Sequence, residues 1–582
     1  VAAERAGAPR LWHNVAMRPT ALLLACLLAC SDDPAAEKGD GSDGSEDTNP
    51  QPTDDTGPGP DTGPAPYDPV EDCTALGLGV VPFEASATDD PTLYALAADF
   101  EVPTLDGTWR LSEQWSGCDN YLFIPETPRQ ESGAPRGIWE RAGDFGDLLE
   151  RTPPNTHIFF LPKSADAEGR AETLADLVEK VEGAYEDMDE ETVAWWRRHV
   201  HFVDLRGKDI EGWLGDTITN PGWGTGIDRS QRVRYIGSFA DPRRYDGDYG
   251  WFGPNLMMAA NEAIYYNHEH DRDARLAAED ALVVPTFTGE LVSDGGWSGA
   301  PGTVSFELPD AATVAGYDTL ELDMELLCDG AGEYGECPAW DYLTYLWVCP
   351  DGDCSPCNGG NHKACPELGR YITTYHREGR WVHDVSALLP LFAEGGPQKL
   401  AFWTVQPYNV SLDLRFTNQG KEGRAEDAQL IFVGGTFNST YSDREPVLVD
   451  IPADVVKVEV AAVLSGHGMN EPDNCAEFCV TDHHVYVNGA DYLWDLSTPE
   501  DDSQFGCMEQ IEQGTVPNQF GTWWYGRNGW CPGKPVDMLT QDITADIVPG
   551  AVNELRYAGY HEGLPYTGSA TMDAAIWLVV YR

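Results

Sequence analysis

Three short stretches combine acids, a cation and flat aromatic rings with cysteines that would hold them still. In Cys328-(x8)-Cys337-Pro338-Ala339-Trp340-Asp341-Tyr342 an acid stands at the start of a strand beside an expected disulfide, Cys328–Cys337. In Cys475-Ala476-Glu477-Phe478-Cys479 a Cys475–Cys479 bridge would close a very small ring with Glu477 at its apex. Such restriction is the preorganisation a catalytic carboxylate needs. In Arg527-Asn528-Gly529-Trp530-Cys531-Pro532-Gly533 a cation and an aromatic face share one loop, and Cys531 can pair with Cys507.

These stretches lie where the pattern is that of short strands. After Val283 the segments Thr319 to Leu327, Tyr342 to Val348, Lys399 to Trp403, Gln429 to Val433, Val455 to Val463, His484 to Val487 and Ala575 to Tyr581 alternate with Gly-, Pro- and Asp-rich turns. That spacing predicts all-β sandwiches, and Asn488-Gly489 is a specific hairpin signal. Roughly 300 residues is too many for one sandwich, so two are expected, 283–447 and 448–582, with a junction near Gly434 to Asp450. Before them, residues 73–282 alternate strand and helix patterns: Tyr121 to Ile124, His157 to Leu161 and His201 to Val203 read as strands. Leu174, Leu177, Val178 and Val181 recur at helical spacing, which predicts an α/β sandwich.

Phe100 to Trp109, the strand after it and Gly226 to Arg234 resemble the opening segment, central strand and late hairpin of the thioredoxin-like fold. That family's redox chemistry needs a thiolate at a helix start after the central strand, and Ile124 to Arg129 contains no cysteine. Cys118 lies before the strand and is expected to pair with Cys73, which makes the region a redox-dead scaffold or binding module.

The 37 Lys and Arg against 97 Asp and Glu give a formal charge of −60. Such a field excludes nucleic acid and anionic headgroups as partners. No EF-hand-like loop accompanies the acid, which therefore reads as surface solvation. Hydrophobic residues at 42% still suffice for real cores.

Met17-Arg18 opens a segment whose apolar part, Ala21 to Ala29, suits a secretory signal and is too short to span a bilayer. Leu27-Leu28-Ala29-Cys30 resembles a bacterial lipobox, which implies Cys30 as a lipid anchor at the outer membrane or cell surface. Residues 1–30 are then upstream extension and signal, and 31–72 a charged Pro/Gly/Thr-rich tether. Removing Cys26 and Cys30 leaves an even number of cysteines, suited to an oxidising compartment.

The three stretches, together with Ser465-Gly466-His467-Gly468 and Gly369-Arg370-Tyr371-Ile372-Thr373, resemble in content and order the motifs of the bacterial peptide-N-glycosidase F family. The resemblance covers about Thr286 to Arg582 and implies two jelly rolls. It also implies hydrolysis of the amide joining N-acetylglucosamine to asparagine, with an N-glycosylated protein or glycopeptide as partner. Carried over by motif, Asp341 is the principal catalytic acid and Glu477 the second carboxylate, while Arg527 and Trp530 line the cleft. Two carboxylates in unlike surroundings can divide acid and base duties.

Departures affect substrate binding. The position of the family's third acid is offered only by Val405 or Gln406, Tyr342 replaces an arginine, and His467 replaces a tryptophan. Gln406, Trp340 and His467 are the remaining expected substrate contacts. The rival readings are a catalytically silent glycan- or protein-binding jelly-roll lipoprotein and a copper monooxygenase, a family with a similar pair of jelly rolls whose histidine-rich copper sites the sparse histidines here argue against. Cys349, Cys354, Cys357 and Cys365, with His362 among them, fit two loop disulfides better than zinc in an oxidising compartment. His268-Glu269-His270 and His483-His484 lack the spacing of a helical zinc protease. No cofactor or metal is expected.

Overall fold

The computed structural model describes residues 69–126, 143–219, 224–236, 256–292, 296–297, 299–330, 337–357, 365–421, 423–470, 475–495 and 505–582. Cys30, the signal, most of the tether and His362 lie outside the described residues.

The N-terminal region is built on a five-stranded mixed sheet. Its order is Val200–Phe202, Thr156–Leu161, Asn120–Pro125, Thr225–Ile227, Val233–Tyr235; the first three are parallel and the last two antiparallel additions. The central strands read as continuous apolar runs because both faces are covered. Leu122 and Ile124 face one core with Leu174, Leu177 and Val181 of helix Ala167–Tyr185, whereas Tyr121 and Phe123 face another with Trp109 and Trp213. Asp166 caps that helix by accepting the Gly169 amide at 2.9 Å.

Every strand pair after Leu282 is antiparallel among the described residues. One sheet orders Gly379–Asp384, Thr319–Leu327, Tyr408–Thr417, Leu282–Val292; its partner orders Lys534–Pro535, Glu367–Ile372, Leu343–Val348, Gly395–Thr404, Gly302–Asp310. Leu322 and Met324 of the first meet Leu346 and Phe402 of the second in one core. A second pair of sheets orders Ala425–Phe437, Ala570–Tyr581, Lys457–His467, Met538–Asp542 and Val447–Asp450, Val552–His561, Thr481–Val487, Ala490–Asp495. These also share a core. Asn488 and Gly489, at φ 50° and 93°, turn the hairpin between Thr481–Val487 and Ala490–Asp495.

The sandwiches interlace more than a division at 447/448 allows. Strand Ala425–Phe437 pairs with Ala570–Tyr581 and buries Phe432 and Phe437 in the second core. The glycines that read as a junction serve close packing: a Cβ on Gly434 would stand 2.0 Å from the Met572 carbonyl oxygen, at a shift in strand register. Lys534–Pro535, in turn, returns to pair with Glu367–Ile372 of the first sandwich.

Helix Met257–Ala278 joins the α/β region to the first sandwich. Its buried Glu262 pairs with Arg377 at 2.7 Å, and Asn518 donates to Ile236, Met258 and Glu262. One core cluster runs from Leu122 through Leu322 as a result.

Six disulfides are formed among the described residues: Cys73–Cys118, Cys328–Cys337, Cys349–Cys354, Cys357–Cys365, Cys475–Cys479 and Cys507–Cys531. The four loop cysteines are thus bonded in pairs and unavailable to zinc. This disulfide density is that of an extracytoplasmic protein.

Candidate active site

Asp341 precedes strand Leu343–Val348 in a turn fastened from both sides. Thr373, buried at the end of strand Glu367–Ile372, donates its hydroxyl to the Trp340 carbonyl at 2.7 Å and accepts the Tyr342 amide at 2.8 Å. The Cys328–Cys337 bridge restrains the preceding chain, and His376 Nδ1 lies 2.9 Å from the Cys337 carbonyl.

Glu477 is delivered by the second sandwich on the turn closed by Cys475–Cys479. Its Oε2 accepts the Gly468 amide at 3.2 Å, and its carbonyl accepts the Asn528 amide at 2.9 Å. Close approach requires glycine at 466, where a Cβ would stand 2.2 Å from the Ala476 carbonyl oxygen. Gly466→Ala is expected to displace the Glu477 turn and lower turnover about 100-fold, since a displacement near 1 Å suffices for that. Steady-state kinetics beside circular dichroism will separate this from unfolding.

Arg527 lies between Cys507 and Cys531 and is 1% exposed. Its Nη1 donates to the Tyr525 carbonyl at 2.8 Å, and the guanidinium lies over the rings of Phe478 and Trp530, 4.4 and 5.3 Å from their centroids. Nε makes no hydrogen bond and stands 3.7 Å from Glu477 Oε1, while Nη2 is 3.9 Å from Asp341 Oδ2. One buried cation therefore stands between two acids brought from different sandwiches.

Burial pushes the Asp341 carboxyl up to about 6, with the Glu477 charge adding to the rise; Arg527 and a hydrogen bond from Tyr375 oppose it. Tyr375 is itself held by its amide donating to Gln519 Oε1 at 2.8 Å, and burial beside Asp341 raises its phenol. Its only signal in the sequence is its place two residues after Thr373.

The other expected residues divide. Trp340 is 54% exposed and stacks with Tyr342, which meets Trp297, 59% exposed; these rings form an aromatic shelf beside Asp341. Trp530 is no open sugar platform: it is 4% exposed, and its Nε1 donates to the Gly466 carbonyl at 2.7 Å. It backs the guanidinium and stacks on His467. Arg370 donates to the Ser465 hydroxyl, which lies 2.7 Å from His467 Nε2. Burial holds His467 down at about 4, so this ring is neutral at pH 7. Gln406 makes no hydrogen bond with Asp341, Glu477 or Arg527, and its Oε1 is buried without a partner.

Two packed antiparallel sandwiches thus meet at a carboxylate–guanidinium–carboxylate junction. Residues 436–580 match the family model described as Peptide-N-glycosidase F, C terminal. The chain is 23% identical over 228 residues to peptide-N(4)-(N-acetyl-beta-D-glucosaminyl)asparagine amidase F of Elizabethkingia miricola, covering 31% of this chain and 61% of that one. It thus spans about three-fifths of the length of that curated relative. Among solved structures it is similar to PNGase F, a glycosylasparaginase from Flavobacterium meningosepticum, at 17% identity and TM-score 0.42, covering 52% of this chain and 96% of that one. It is also similar to PNGF-II, at 11% identity and TM-score 0.38, covering 54% and 67%.

Proposed function

We propose that the chain is an exported N-glycan amidase that hydrolyses the amide between N-acetylglucosamine and asparagine. The observation that carries this reading is Arg527, buried and within 4 Å of both Asp341 and Glu477. Water adds to the side-chain carbonyl carbon of the glycosylated asparagine, the carbon–nitrogen bond breaks, and the leaving nitrogen takes a proton. Asp341, ionised above pH 6, orients the water and accepts its proton. Arg527 stabilises the charge that develops on the carbonyl oxygen, and Glu477, 3.7 Å from Arg527 Nε, holds the guanidinium in place. The products are aspartate in the peptide and a glycosylamine.

Trp297, Tyr342 and Trp340 are the sugar-facing surface in this reading. Trp297→Ala is expected to raise KM about tenfold with little change in kcat, because it removes binding shared by ground and transition states. Glycopeptide kinetics check this. The two sandwiches are read as jelly rolls and the mixed sheet as a thioredoxin-like scaffold without a redox thiol. Cys30 is read as the lipid anchor.

The decisive assay incubates the chain with a denatured N-glycoprotein. Release of intact glycan with Asn converted to Asp supports the amidase. No release, beside an active amidase as control, overturns it in favour of the binding-only reading that neutral Gln406 and buried Val405 suggest.

A further inference from the structure

We propose that Asp119, His157 and His199, completed by Asp72, form a structural site for one divalent transition-metal ion in the α/β region, with Zn²⁺ as the matching ion. Asp119 Oδ2, His157 Nε2 and His199 Nε2 lie within 4.8 Å of one another. The three residues are 0%, 3% and 0% exposed, and none of these three atoms has a hydrogen-bond partner. Three orphaned polar atoms pointing at one spot in a dry interior is a costly arrangement without a ligand.

The ring tautomers suit a cation. His199 Nδ1 lies 2.9 Å from the Trp195 carbonyl, which can only accept, so the proton sits on Nδ1 and Nε2 presents a bare lone pair. His157 Nδ1 lies 2.9 Å from His201 Nε2, which allows the same assignment there. A second hydrogen bond that orients the ring is the usual support of a metal-bound histidine. Asp119 supplies the carboxylate oxygen of the cluster.

Asp72 comes from helix Pro69–Leu76, and its Oδ2 is 3.7 Å from His199 Nε2. The Cys73–Cys118 disulfide has Asp72 and Asp119 as immediate neighbours, so one covalent clip brings both acids to the histidines. Metal–ligand bonds of about 2.0–2.1 Å place tetrahedral ligand atoms roughly 3.3 Å apart. Asp119 Oδ2 to His157 Nε2 is 3.4 Å. Asp72 Oδ1 also meets Arg198 Nη2 at 3.4 Å, and two carboxylates with two neutral imidazoles supply the four ligands of a closed, structural site. The other two clusters of potential ligands depend on Cys475–Cys479 and Cys328–Cys337, whose sulfurs are bonded to each other.

This site stands independently of the amidase reading. The test uses the full chain without a polyhistidine tag, stripped with a chelator and titrated with Zn²⁺ or Co²⁺. About one equivalent should be bound by mass spectrometry of the metal, with tetrahedral Co²⁺ absorption and a melting transition several degrees higher. His199→Gln should lose the equivalent and His484→Gln should keep it. A folded, fully disulfide-bonded wild-type chain that binds no stoichiometric ion and shows no melting shift overturns the proposal, whether or not the variants fold.

Discussion

Asp341→Asn is expected to lower kcat for glycan release by about 1,000-fold while making the chain more stable at alkaline pH. The loss follows from removing the group that accepts the proton of the attacking water in a buried site. The gain follows from linkage. Folding raises the carboxyl from 3.8 to about 6, so the folded state binds the proton more tightly than the unfolded chain. That advantage is complete at acid pH and is lost as pH climbs through about 6; a neutral asparagine escapes the loss. At pH 8 the variant should exceed wild type by up to about 3 kcal/mol. Wild-type kcat/KM should correspondingly rise with pH through about 6, a limb absent from the residual rate of the variant. Stopped assays and thermal melts at pH 5 and 8 check both.

Arg370→Met is expected to destabilise the chain by about 3–5 kcal/mol, because it strands a buried carboxylate. Arg370 is 1% exposed and makes a two-pronged pair with Glu367 at 2.8 Å for each prong. Its Nη1 crosses from the first sandwich to the second, donating to the Ser465 hydroxyl at 2.8 Å and the Asp573 carbonyl at 2.9 Å. Activity should fall as well, since Ser465 opens the segment that carries His467 and Gly468 to Glu477. The double variant Arg370→Met/Glu367→Leu should recover most of the stability and little of the activity. Denaturant midpoints and glycan release measured on the same preparations separate the two effects.

What could be read from sequence was local. The runs Tyr121 to Ile124, His157 to Leu161 and Thr319 to Leu327 all become strands, because a strand buried on one or both faces writes its environment into consecutive residues. Asp341, Glu477 and Arg527 stood out because each lies within four residues of a cysteine, and the fold brings all three together. What could not be read was the long-range part. Strand Ala425–Phe437 joins the second sandwich and Lys534–Pro535 the first, pairings set by registers more than a hundred residues away. Trp530 is expected from its motif to line the cleft, and the Gly466 contact shows that it does so as a buried floor. Tyr375 and Trp297 reach the site by folding alone, as do the scattered Asp119, His157 and His199.

Hydrolysis of a denatured N-glycopeptide in oxygen-18 water tests the central claim most directly. An amidase places one heavy oxygen in the new aspartate, so the peptide gains the Asn-to-Asp difference plus one isotope and the glycan leaves as a glycosylamine. A peptide that keeps its asparagine, with the label on the sugar or with no glycan released, would contradict the account.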